Sequence, residues 1–210
     1  MQQLSVEDIK QIIFHIKNII CERQDFLSEL DSIMGDGDLG ITMSRGFIAA
    51  HEEADQSAET KPGKLFIRIG MMIAKTAPST MGTLIGTGFM KGGKAIEGRE
   101  LIGISELAIF LETFVHSMME RGKSKPGNKT IIDSLFPAAR ALSYSAANEK
   151  SLVDGMLAAK AAAGLLASTG MKAEYGRAAY YQDASIGKQD GGATVGTYIV
   201  EGFYKHISKE

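Results

Sequence analysis

Ser5-Val6-Glu7-Asp8-Ile9-Lys10-Gln11-Ile12-Ile13-Phe14-His15-Ile16-Lys17-Asn18-Ile19-Ile20 carries Ile9, Ile12, Ile13, Ile16, Ile19 and Ile20 at steps of three and four residues. That period lays one apolar stripe along one face of an α-helix, and Ser5, with Asp8 in the first turn, is a helix start. The same period returns in Leu107, Phe110, Leu111, Phe114 and Met118 after Ser105, and in Leu152, Met156, Ala159, Ala163 and Leu166 after Ser151. It returns once more in Val195, Tyr198, Ile199 and Phe203. Residues 65–74 and 131–142 also read as helices, the second capped by Thr130 and kinked or interrupted at Pro137. No segment sustains a period of two, so the chain is all-α, a bundle of seven or eight helices with short connections.

A length of 210 residues supports one sizeable core, and without a composition break or long linker the chain reads as a single domain over 1–210. A net charge of -2 gives no general attraction to nucleic acid. The apolar run 102–115 is interrupted by Ser105, Glu106 and Glu112, short of the roughly 20 residues a membrane span requires. Met1-Gln2-Gln3-Leu4-Ser5 lacks the basic and apolar regions of a signal peptide, so a cytoplasmic location is expected, with neither membrane nor nucleic acid as partner. Cys21 is the single cysteine, which leaves no internal disulfide and suggests a packed thiol.

The glycines gather in four segments, residues 35–40, 79–88, 121–130 and 186–192, read as connections. Alternate connections of an up-and-down bundle lie at one end, where glycine-rich backbone can approach phosphate. In the first of them Asp31, Asp36 and Asp38 fall within eight residues, with Gly35, Gly37 and Gly40 between and after them. Carboxylates held this close repel each other, and a hard cation is the usual reason to keep them together. A helix beginning near Ile41 would aim its positive end at the same point. A solvated acidic loop is the ordinary alternative, but it does not require glycine on both sides of an aspartate. An EF-hand fails on spacing, because Phe47 or Thr42 would stand where the bidentate glutamate belongs. Magnesium shared with substrate phosphates suits the segment better.

Arg121-Gly122-Lys123-Ser124-Lys125-Pro126-Gly127-Asn128-Lys129-Thr130 is basic, with a turn at Pro126-Gly127. Alone it reads as a solvated face, and near the acidic loop as a mobile lid over a nucleotide. Arg177, in Tyr175-Gly176-Arg177-Ala178, offers a planar guanidinium for phosphate, and Asp190-Gly191-Gly192 precedes the last helical stripe. His15, His51, His116 and His206 sit in helical stretches without ligand spacing or an evident carboxylate partner and are assigned to surface or core. The eleven methionines read as adaptable core filling.

Taken in order, Leu30-Asp31-x-x-x-Gly35-Asp36-Gly37-Asp38, Arg121-Gly122-Lys123-x-x-Pro126-Gly127-x-Lys129-Thr130-x-x-Asp133, Gly176-Arg177-Ala178-x-Tyr180 and Ser185-Ile186-Gly187-x-Gln189-Asp190-x-Gly192-Ala193 resemble the nucleotide-binding L subunit of bacterial dihydroxyacetone kinase. The resemblance implies an eight-helix antiparallel barrel with ADP or ATP and two magnesium ions at one end. It implies Asp31, Asp36 and Asp38 as ligands of both ions, with Arg177 beside them. Nucleotide contacts are implied at Leu39, Gly40, Ile41 and Thr42, at Ser79, Thr80 and Gly82, at Gly122, Thr130 and Ile131, and at Arg177, Asp190, Gly191 and Gly192. The family usually carries histidine and asparagine where this chain has Leu39 and Thr42, of which only Thr42 can offer a hydroxyl to phosphate. Its Gly-Gly-Ala-Ser-Gly phosphate loop falls on Pro78-Ser79-Thr80-Met81-Gly82, where Ser79 and Thr80 can still donate and Pro78 cannot.

In the phosphotransferase-system branch of that family, ADP stays bound as a coenzyme and a phosphohistidine M subunit rephosphorylates it. A K subunit then presents dihydroxyacetone, held as a hemiaminal on a histidine. No general base is assigned within this chain, and the acceptor could be another short keto-sugar. Two further readings stay open. One is a kinase subunit that exchanges ATP freely. The other is a non-catalytic, nucleotide-loaded barrel that docks on a transcription regulator. A homodimer, and a barrel interior either packed or holding a lipid, are equally open on periodicity alone.

Overall fold

Residues 3–164 and 166–209 are described by the computed structural model of the chain. The Ser5 start is reciprocal: the Ser5 hydroxyl accepts from the Asp8 N–H at 3.3 Å, and the Asp8 carboxylate accepts from the Ser5 N–H at 2.8 Å. It opens α1 (Val6–Glu22), whose Ile9, Ile12, Ile13, Ile16 and Ile20 are all buried. The backbone breaks at Arg23 and resumes as α2 (Gln24–Met34). There follow α3 (Leu39–Gln56), α4 (Pro62–Thr76), α5 (Thr80–Ala95), α6 (Ile104–Gly122), α7 (Ile132–Ala147), α8 (Leu152–Ala162), the short α9 (Leu166–Thr169), a 3-10 stretch (Arg177–Ser185) and α10 (Gly191–Ser208). Among the described residues no strand occurs; one isolated antiparallel bridge joins Leu4 to Ile102. Among the described residues no helix is long and apolar enough to cross a membrane. The side chain of Leu166, expected in the α8 stripe, lies outside the described residues, as do Met1 and Gln2.

The all-α expectation holds. Helix contacts run α1 to α3, α3 to α4, and then successively through α8, which meets α10; α10 returns to pack on α1. Eight helices therefore close a ring, a contact order compatible with an eight-helix barrel. The break at Arg23 and the short α9 account for the larger helix count: α2 rests against α3 and α9 against α7. Inside the ring stand Phe47, Phe66, Phe89, Phe110, Phe114 and Phe203. Phe66 and Phe110 stack with centroids 4.2 Å apart, and Phe89 meets Phe114 edge-on at 5.0 Å. Interlocked aromatic rings of this kind fill the interior as a packed core.

Three local expectations are corrected. Residues 79–88 are not a connection but the cap and first half of α5, because their glycines serve helix packing. A Cβ on Gly70 of α4 would lie 2.6 Å from the Gly86 carbonyl oxygen, and one on Gly86 would lie 2.7 Å from the Gly70 oxygen. Gly63 and Gly93 repeat this contact two turns away, at 2.6 and 2.5 Å. Only hydrogen at these positions lets the two backbones approach so closely. The start of α6 is held by Glu106, which accepts the Gly103 N–H at 3.0 Å, rather than by Ser105. Pro137 lies within α7 without ending it, and Thr130 accepts the Ile132 N–H at 3.2 Å from just outside the helix.

Candidate functional site

Helices α3, α5, α7 and α10 all begin at one cleft of about 1090 Å³. Their first-turn N–H groups and dipoles make that end of the ring favourable to anions. Two of the starts are capped by side chains of the cleft itself: the Ser79 hydroxyl accepts from the Gly82 N–H at 3.1 Å, and the Asp190 carboxylate from the Ala193 N–H at 2.6 Å. Ser79 spends acceptor capacity on this cap and keeps its O–H as a donor.

The acidic loop forms one wall. Carboxylate oxygens of Asp31, Asp36 and Asp38 lie within 4.8 Å of one another. The Asp31 carboxylate also accepts the Asp38 N–H at 3.1 Å and the Leu39 N–H at 3.4 Å, which fixes the entry to α3. Two glycines make the turn possible. A Cβ on Gly35 would sit 2.2 Å from an Asp31 carboxylate oxygen, and Gly37 has φ of +76°. Slight shielding from water, and then the neighbouring carboxylates of Asp36 and Asp31, raise the Asp38 carboxyl above its ordinary value; Arg177 opposes this. Hard oxygen donors crowded at the price of mutual repulsion fit a magnesium-like cation.

Arg177 reaches this loop from far along the chain and ion-pairs with Asp36. It enters the 3-10 stretch directly after Gly176, whose φ of +65° turns the backbone. The guanidinium is thus placed beside the carboxylates, about 62% exposed, within the same cleft. Asp190 also lines the cleft, and removal from water pushes its carboxyl up to about 6, against the Ala193 N–H and Lys129, which favour the charged form.

Of the residues expected at the site, Asp31, Asp36, Asp38, Leu39, Thr42, Ser79, Thr80, Gly122, Thr130, Ile131, Arg177, Asp190, Gly191 and Gly192 line this one cleft. Gly40, Ile41 and Gly82 do not. Gly40 is buried against α2, where a Cβ would meet the Gln24 carbonyl oxygen at 2.0 Å. Ile41 points outward, 51% exposed. Gly82 packs on Ala77, 2.1 Å from its carbonyl oxygen to a Cβ, and serves through its N–H in the α5 cap. Sequence reasoning missed the apolar residues Leu30, Met34, Met81 and Leu84 in the lining, and Tyr175 with them. Methionine at Met34 and Met81 had read as core filling; its placement one residue before Gly35 and one before Gly82 was the available signal.

The basic segment is also more ordered in its bonding than a solvated face. Asp133 accepts the Gly127 and Thr130 N–H groups at 2.6 and 2.7 Å, the Asn128 carboxamide donates to Glu174, and Lys129 is buried rather than solvated. Among the histidines, His206 does have a carboxylate partner, Asp8, at 2.8 Å. That pair lies roughly 22 Å along α10 from the cleft, at 1.5 Å per residue.

Comparison with known proteins shows the family. Residues 33–205 match the DAK2 domain. The ADP-binding subunit DhaL of the PEP-dependent dihydroxyacetone kinase of Escherichia coli K12 is 30% identical over 186 residues, 88% of this chain and 89% of that protein. The corresponding DhaL of dihydroxyacetone kinase 1 of Listeria innocua is 33% identical over 172 residues, covering 82% of each. Among solved structures, the dihydroxyacetone kinase of C. freundii superposes with a TM-score of 0.71 at 21% identity over 94% of this chain, and its complex with AMP-PNP and Mg2+ gives the same score at 22%. This chain spans about a third of that kinase, 34% of its native form. With the family match over residues 33–205 and these relatives at 30% and 33% identity over most of its length, the chain belongs to the DAK2 domain family, alongside the DhaL subunits.

Proposed function

We propose that this chain, as one nucleotide-binding domain over 1–210, is the ADP-binding subunit of a multi-subunit, phosphoenolpyruvate-dependent dihydroxyacetone kinase working in the cytoplasm. The observation that carries this reading is the convergence of Asp31, Asp36 and Asp38 within 4.8 Å at a cleft where four helices begin. Phosphoryl transfer asks a protein mainly to align its reactants and neutralise charge. The three aspartates would hold two magnesium ions, which when bound supply the charge that offsets phosphate oxygens. Around them Ser79 and Thr80 offer hydroxyls, Gly191 and Gly192 offer the first N–H groups of α10, and Arg177 offers its guanidinium. Met34, Leu39, Met81 and Leu84 give an apolar wall for the base.

The partners implied are a K subunit presenting dihydroxyacetone or a similar short keto-sugar, and a phosphohistidine M subunit that restores the nucleotide. The relatives named DhaL support this reading over a free ATP exchanger or a regulator that binds without turnover. Native mass spectrometry after long dialysis with magnesium is the test. Retained ADP is expected, lost in Asp36→Asn with the helical signal unchanged. A chain that takes up neither ADP nor ATP refutes the reading, and uptake of ATP without retained ADP moves it to an exchanging kinase.

A further inference from the structure

Lys129 is 1% exposed, and its backbone is left-handed, with φ of +59°. Its ammonium donates to four backbone carbonyls: Lys188 at 2.6 Å, Ser185 at 2.8 Å, Met171 at 3.1 Å and Thr169 at 3.4 Å. An ammonium has three N–H groups. Four oxygens at these distances therefore surround it much as carbonyl dipoles surround a bare monovalent ion, replacing its water shell. All four come from the stretch 169–188, which carries Arg177, whereas Lys129 belongs to the loop before α7. Smaller bonds close the stretch on itself and on that loop: Gly187 N–H to the Thr169 oxygen at 2.8 Å, Ala173 N–H to the Ser185 hydroxyl at 2.8 Å, and Glu174 N–H to the Asn128 oxygen at 3.3 Å. Regular helix packing contributes little here, since the stretch contains only the end of α9 and a 3-10 turn.

We propose that Lys129 is a positioning residue that acts as a tethered monovalent cation, its ammonium filling a carbonyl cage and so fastening the stretch 169–188, with Arg177, beside the acidic loop. Its effect on nucleotide retention rests on the function proposed above; the cage itself does not. Glycine suits a left-handed backbone and leaves the cage open. Lys129→Gly therefore converts a built-in cation into a site for a free one.

The test compares wild type, Lys129→Gly and Lys129→Met in potassium, methylammonium and tetramethylammonium chloride at equal ionic strength. Hydrogen exchange over residues 168–190 and release of ADP in the presence of magnesium are followed. In tetramethylammonium, Lys129→Gly should lose roughly tenfold or more in amide protection of this stretch, as the loss of one charge-assisted hydrogen bond would give. Potassium or methylammonium should return it to within about threefold of wild type, and ADP release should follow the same order. Lys129→Met fills the space without charge and should lose protection that neither cation restores, while wild type ignores the choice of salt. Unchanged protection in both variants, a loss in Lys129→Gly that no cation affects, or global unfolding of both variants would overturn the proposal. If wild type binds no nucleotide, the functional reading fails, while the exchange data still decide the cage.

Discussion

Asp38→Asn separates what the acidic loop costs the fold from what it does. With carboxylate oxygens within 4.8 Å, each like-charge pair costs about 1 kcal/mol under water-like screening and about 3 kcal/mol at an effective dielectric of 20. Asp36 and Asp38 are exposed, so the lower figure governs. Arg177 on Asp36 offsets part of it. Neutralising Asp38 relieves its repulsion with both neighbours for a net gain of about 1 kcal/mol, or about 2–4 °C in melting temperature for a chain of this size. The substitution leaves the backbone bond from the Asp38 N–H to Asp31 in place, and the Asp38 side chain makes no capping bond to α3.

Ligand reverses the sign. Magnesium and ADP stabilise only the form that binds them, by mass action, so wild type should gain on their addition and Asp38→Asn should not. The variant should melt above wild type in EDTA and below it in saturating magnesium ADP, by circular dichroism. The pH dependence follows from the raised Asp38 carboxyl: in wild type the penalty is complete above its folded pKa and disappears as pH falls below the ordinary 3.8. The EDTA advantage of the variant should accordingly be present at pH 7.5 and absent below that value. A variant that melts lower than wild type in EDTA, or that gains as much from magnesium ADP, refutes the reasoning.

Asp190→Asn tests the other raised carboxyl of the cleft. With its carboxyl raised to about 6 in the folded chain, ionisation opposes folding above pH 6 and not below 3.8. The amide oxygen can still accept the Ala193 N–H, so melting at pH 7.5 should rise, by at most about 3 kcal/mol of stability, and melting at pH 3.5 should not change. An equal effect at both values would assign Asp190 a purely steric role. Gly70→Ala forces a methyl to 2.6 Å from the Gly86 oxygen and 2.8 Å from the Met90 nitrogen, both backbone atoms. Overpacking of this kind should cost about 1–3 kcal/mol in urea denaturation, and an unshifted midpoint would show that α4 and α5 can separate freely.

How much of this was readable depended on how far apart the interacting residues lie. The isoleucine stripe and Ser5–Asp8 start of α1 are local, within one or two turns, and came through with every member of the stripe buried except the half-buried Ile19. The acidic loop is local as well: three aspartates and their glycines in eight residues carry both the turn and the repulsion. Lys129 read as part of a solvated basic run because the carbonyls that enclose it lie 40 to 59 residues away. The His206 partner Asp8 is 198 residues distant. The glycines of α5 read as a loop because glycine is a poor helix former, and only the facing glycines of α4, invisible to a local window, explain why a helix forms there. Met34 and Met81 were indistinguishable from core filling until the cleft gave them an open side.

The central claim is that Asp31, Asp36 and Asp38 hold the cations that grip a nucleotide's phosphates. Anomalous diffraction from crystals grown with ADP and manganese in place of magnesium addresses it directly. The account predicts manganese peaks among these three carboxylates, with the ADP phosphates between them and the starts of α5 and α10. Manganese and nucleotide bound at another part of the surface, with the acidic loop free of metal, would contradict it.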